Sequence, residues 1–75
     1  MTNVDIKIEL MKLGKKQSNV VAELEKRGFH LSATELCKSL SDYKPEDKKT
    51  RKERELKAAT VGLIEEWKQL QAQGA

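Results

Sequence analysis

The segment that begins at Ser32 carries residue types whose spacing could place polar groups on a surface. Ser32 and Glu35 stand three residues apart, as in a capping box, where the serine hydroxyl accepts from the glutamate backbone and the glutamate side chain reaches back. This spacing predicts that a helix begins at Ala33. Leu36 and Leu40 are four residues apart and share its inward face. The outward face then presents small or polar side chains: Ala33, Thr34, Cys37 and Lys38.

The same segment gives little support for catalysis or for metal binding. A cysteine nucleophile at Cys37 would need a neighbouring base, and His30 is only weakly placed in a connecting loop. One cysteine and one histidine in 75 residues allow no internal disulfide and no ordinary four-ligand zinc site. We find no phosphate loop and no paired carboxylates. We therefore predict a protein that is not an enzyme and that has no metal, cofactor or small-molecule substrate.

Four helical segments in one domain must position this surface, at about 3–13, 16–27, 33–41 and 46 or 54 to 71. In the first, apolar residues alternate from Val4 to Leu10, as in a strand, but they also fit two helical rows. We choose helix because no second strand is available to pair with it. Thr2 or Asn3 caps it, and Gly14 and Gly28 end the first two helices. The two apolar rows are Val4, Ile8 and Met11, and Ile6, Leu10 and Leu13.

The fourth helix has a secure part from about Arg54 to Gln71, where Leu56, Leu63 and Trp67 recur at helical spacing. Whether it begins as early as Pro45 is open, because residues 46–55 contain no apolar side chain. We predict an all-α fold of four helices.

The net charge of the chain and its distribution limit the kinds of partner that the protein could bind. Charged residues make up 36% of the chain and the net charge is +3, with the excess of basic residues between Tyr43 and Lys57. Such a run is either a solvated helix face or a nucleic-acid patch. No apolar stretch could span a bilayer or serve as a signal peptide, so we expect a cytoplasmic protein with no membrane partner.

The second and third helices and their connector resemble the helix-turn-helix of phage Cro and lambda-type repressors. The resemblance covers about half the chain and rests on Gly14-Lys15-Lys16-Gln17, on Val20-Val21-Ala22 and Leu24, and on Leu31-Ser32, Leu36 and Leu40. The connector between Leu24 and Leu31 is longer than is usual in that family. The resemblance implies a lambda-repressor-like domain that binds double-stranded DNA and acts as a phage or mobile-element transcriptional regulator.

Site residues follow from the resemblance. The third helix would enter the major groove, and Ala33, Thr34, Cys37 and Lys38 would face base edges. Phosphate contacts would come from side chains that flank this helix: Lys15, Lys16, Gln17, Ser32, Tyr43 and Lys44.

One module of this size buries little surface, so we expect a homodimer or cooperative binding to half-sites about 34 Å apart. The alternative function is a protein-interaction adaptor or antirepressor, which would use the apolar stripe of Leu63, Trp67 and Leu70 on the last helix.

Overall fold

A computed structural model describes residues 2–41 and 45–73 and shows four α-helices along the chain. They are α1 (Asn3–Lys12), α2 (Gln17–Lys26), α3 (Ala33–Ser39) and α4 (Arg51–Gln73), with a 3-10 turn at Glu46–Lys48 before α4. The described residues contain no strand, which confirms the all-α prediction. None of the described helices is long and apolar enough to cross a bilayer.

The first and third helices begin where their sequences predict. The backbone N–H of Asp5 donates to Thr2 Oγ1 at 3.2 Å, and the N–H of Thr2 donates to Asp5 Oδ2 at 3.0 Å. The backbone N–H of Glu35 donates to Ser32 Oγ at 3.1 Å. Each of these bonds satisfies an N–H group that the first turn of a helix leaves without an intrahelical partner.

Two glycines end α1 and α2, as predicted. Gly14 has φ 70° and Gly28 has φ 96°, a region that side chains with a Cβ rarely adopt. After α2 the N–H of Phe29 donates back to the carbonyl of Leu24 at 3.0 Å, which closes the end of the helix. The first three helices end one or two residues before the predicted positions, with Leu13, Arg27 and Leu40 as C-cap residues, whereas α4 extends two residues beyond the predicted end, to Gln73.

The open question of where α4 begins is answered by Thr50. The N–H of Glu53 donates to Thr50 Oγ1 at 3.2 Å, and the N–H of Thr50 donates to Glu53 Oε1 at 3.3 Å. This reciprocal pair is a capping box, so α4 begins at Arg51. Pro45 precedes the separate 3-10 turn instead.

The core lies between α4 and the other three helices. Its fully buried apolar side chains come from all four helices, and α4 contributes Leu56, Leu63 and Ile64. An ion pair also links α4 to each other helix: Glu9–Lys68 at 2.8 Å to α1, Arg27–Glu66 at 2.7 Å to α2, and Glu35–Lys52 at 2.5 Å to α3. Each of these exposed ion pairs contributes little to the free energy of folding. Together they join α4 to each of the other three helices.

Candidate nucleic-acid interface

The outward face of α3 and the start of α2 form one shallow groove. Six residues line it: Gln17, Ala33, Thr34, Cys37, Lys38 and Ser41. The first five were selected from the sequence, four as base contacts and Gln17 as a phosphate contact. The structure therefore brings residues that are up to 21 positions apart in the chain onto one surface.

This face of α3 is held from behind by the core. Leu36 and Leu40 are fully buried, whereas Ala33, Thr34, Cys37 and Lys38 are exposed. Ser39 is also fully buried, and its hydroxyl donates to the carbonyl of Glu35 at 2.8 Å. The exposed side chains consequently project from a backbone that is fixed by packing.

Of the two polar residues at the N-terminus of α2, Gln17 lines the groove and Lys16 does not. Lys16 is the N-cap residue and is exposed, and its backbone N–H donates to Asn19 Oδ1 at 2.9 Å. Gln17 is half-buried and is the first helical residue. The Gln17 amide thus stands beside the α3 face, and the exposed Lys16 is its neighbour along the chain.

The negative charge of Glu35, the acidic residue of α3, is compensated by a lysine of α4. Glu35 is half-buried, and its carboxylate accepts from Lys52 of α4. The Lys52 ammonium, with the Ser32 cap, holds the pKa of the Glu35 carboxyl below its ordinary value of 4.5. Glu35 is therefore ionised at neutral pH, but its charge is compensated by Lys52, and the groove itself is lined by one cation and by no carboxylate among the described residues.

Three cations of the basic segment between Tyr43 and Lys57 are paired with other groups of the protein, and one of them is buried. Lys49 is only 5% exposed, and its ammonium donates to the carbonyl of Ser39 at 2.8 Å. Arg51 pairs with Glu55 at 3.1 Å, and Lys52 pairs with Glu35. Neither reading from the sequence, a solvated face or a nucleic-acid patch, describes Lys49, because it closes the C-terminal end of α3.

The other predicted phosphate contacts have different positions. The ammonium of Lys15 lies 5.1 Å from the centre of the Trp67 ring, and Lys15 borders a separate depression near the end of α4. Ser32 is exposed and caps α3, but it borders a neighbouring depression with Phe29, not the groove. Tyr43 and Lys44 lie outside the described residues.

Ser41 is the groove residue that the sequence analysis did not select. It is half-buried and follows the C-cap of α3. Its position was available from the sequence, since residues 34, 37, 38 and 41 repeat at the three- and four-residue spacing of one helix face.

The apolar stripe on α4, on which the alternative function depends, is smaller than predicted. Leu63 is 1% exposed and belongs to the core. Trp67 is half-buried and packs against the core, and Leu70 is 63% exposed. The stripe available to a partner is therefore Leu70 with one part of the Trp67 ring.

No group of three or more histidine, cysteine, aspartate or glutamate side chains among the described residues could hold a metal ion. Comparisons with protein-family models, with curated proteins and with solved structures found no match to this chain.

Proposed function

We propose that this chain is a sequence-specific DNA-binding protein in which α2 and α3 act as a helix-turn-helix and α3 reads the major groove. The observation that carries the proposal is the groove in which the exposed face of α3 meets Gln17. A major groove about 12 Å wide admits one α-helix with short side chains on its leading face. Ala33, Thr34 and Cys37 are short, so the backbone of α3 could come close to base edges.

The chemistry of the face supports base recognition. The Lys38 ammonium is a donor for the N7 and O6 acceptors of guanine, and the methyl groups of Ala33 and Thr34 suit the methyl group of thymine. Gln17 and Lys16 at the start of α2 would contact phosphates and so orient the domain. Pairing of Glu35 with Lys52 removes a repulsion that a free carboxylate beside the phosphates would cause.

A salt titration of binding to a pool of random duplex DNA, with sequencing of the retained fraction, tests this function. We expect binding that weakens as salt rises, since each phosphate contact contributes about 0.9 to the slope of log K against log salt. We also expect an enriched sequence. Salt-sensitive binding without enrichment would contradict sequence recognition, and no binding at low salt would contradict the whole proposal and favour the adaptor function through Leu70 and Trp67.

Two variants locate the reading surface. Lys38→Ala and Thr34→Ala should each lower affinity for the enriched duplex by roughly 10- to 100-fold, because a base contact of this kind contributes about 1–3 kcal/mol. Helix content, measured by circular dichroism, should not change because both side chains are exposed. Lys26→Ala is the matched control: Lys26 is also an exposed helical lysine, 3.7 Å from Glu23 and away from the groove. Equal losses for Lys26→Ala and Lys38→Ala would show that α3 is not the reader.

A further inference from the structure

The outward face of α1 carries a row of exposed apolar side chains that the core does not use. Val4, Ile8 and Met11 are 56, 43 and 79% exposed, and their spacing places them in line on one side of the helix. The opposite side of the same helix is buried in the core through Ile6, Leu10 and Leu13. We call Val4, Ile8 and Met11 the α1 row. A helix that is apolar on two opposite sides has a second surface to cover.

One flank of the α1 row carries two opposite charges. Asp5 and Lys12 are both exposed and are seven residues apart, which places them on the same flank, two turns or about 10 Å apart along the axis. Asp5 is at the N-terminal end of the row, and Lys12 is at the C-terminal end. The Lys12 side chain is 68% exposed, and its ammonium lies 3.9 Å from Glu9 Oε1.

This charge order is complementary to itself when two copies of α1 run in opposite directions. In an antiparallel helix pair, a given flank faces the same flank of the other helix, as the twofold symmetry of a homodimer requires. Asp5 of one copy then lies opposite Lys12 of the other, and the contact occurs twice. In a parallel pair this flank would instead face the other flank of the second copy, which carries Lys7 and no acidic side chain, so Lys12 would have no opposite charge to meet. In the same antiparallel register the twofold axis lies between positions 8 and 9, so Ile8 of one copy lies against Ile8 of the other, and Met11 lies between Val4 and Ile8 of the other copy.

We infer that the α1 row is a self-association surface that takes a second copy of this chain in an antiparallel α1–α1 contact. The inference does not depend on the proposed DNA binding, because it rests on α1 alone. α1 has ten residues and is about 15 Å long, so one of its faces buries far less than the ~800 Å² per partner of a standard interface. The dimer is therefore weak, with a dissociation constant on the order of 0.1–1 mM.

Sedimentation equilibrium of the full chain without DNA, from about 10 μM to millimolar concentration, tests the inference. The unchanged chain should associate to a dimer at the upper end of this range. Ile8→Glu and Met11→Glu should remain monomeric at every concentration, because each buries a carboxylate in the contact. Leu70→Glu is the matched control: it also converts an exposed apolar residue, but on α4, and it should associate like the unchanged chain. All three positions are exposed, so circular dichroism should show the same helix content.

A second pair of variants tests the antiparallel register. Lys12→Glu would place one carboxylate opposite each Asp5 in the dimer and should weaken association several-fold, whereas Lys7→Glu, on the other flank of the row, should not. Equal effects of these two changes would overturn the antiparallel contact. A wild-type chain that stays monomeric at millimolar concentration, or loss of association in Leu70→Glu but not in Met11→Glu, would overturn the inference and leave the α1 row to a different partner.

Discussion

Lys49 shows how a single side chain fixes the end of the proposed reading helix. Its ammonium, almost fully removed from solvent, donates to the carbonyl of Ser39, the last residue of α3. The last carbonyls of a helix have no intrahelical partner and carry partial negative charge, so a cation there is favourable. Lys49 thereby connects the segment before α4 to the helix that carries Thr34 and Lys38.

Lys49→Ala should destabilise the protein, and its neighbour provides a control. The variant removes a buried hydrogen bond and leaves the Ser39 carbonyl without this donor, which costs about 1–3 kcal/mol. Lys48→Ala changes an exposed lysine and should alter the free energy of unfolding by less than about 0.5 kcal/mol. Urea denaturation monitored by circular dichroism measures both. Equal stabilities of the two variants would show that the Lys49–Ser39 bond contributes nothing.

The exposed positions of α3 could be predicted from the sequence, whereas the position of Lys49 could not. Leu36 and Leu40 define the inward side of α3 by spacing alone, and the outward side follows. Lysine is almost never fully buried, and nothing in a run of basic residues marks one of them for the interior. The partner of Lys49 is a backbone carbonyl ten residues away, and the two meet only through the packing of α3 against the segment before α4.

At the scale of the element, the packing of α1 explains why its apolar pattern fits both a strand and a helix. Its apolar residues alternate from Val4 to Leu10 because two rows, one inward and one outward, interleave along the same helix. The sequence showed both rows but not which one meets the core. That choice depends on α4, to which α1 is joined by packing and by the Glu9–Lys68 ion pair.

The start of α4 shows a different limit. Pro45 is a strong local signal for the first turn of a helix, and the segment after it does form a 3-10 turn. The capping box of Thr50 and Glu53 was present in the sequence with the same three-residue spacing as Ser32 and Glu35. Apolar spacing does not reveal this start, because the first apolar residue after Thr50 is Leu56.

The connector between α2 and α3 depends on a glycine, and a second glycine serves as its control. Gly28→Ala should destabilise the protein by about 1–2 kcal/mol, because a Cβ is strained at a φ of 96°. Gly62→Ala should stabilise it by up to about 1 kcal/mol, since Gly62 lies within α4 and a Cβ there meets no atom within 4 Å. Thermal unfolding compares the two. A stabilised Gly28→Ala variant would contradict the conformation of the connector.

At the scale of the whole molecule, α4 determines how α2 and α3 are presented. Its ion pairs with the other helices join residues that are far apart in sequence, such as Arg27 and Glu66. Spacing along the chain predicts helices and their faces, but it does not predict which exposed charges meet across the fold. The groove also depends on this level of structure, because Gln17 reaches the α3 face only when α2 and α3 are packed together.

The central claim is that this groove, and not the end of α4, meets DNA. Titration of the ¹⁵N-labelled chain with a short duplex at low salt, followed by amide chemical shifts, tests it most directly. We predict that the largest shift changes occur at the amides of Gln17, Ala33, Thr34, Cys37 and Lys38, and that they diminish as salt is added. Changes concentrated at Trp67 and Leu70, or no change at millimolar DNA, would contradict the claim.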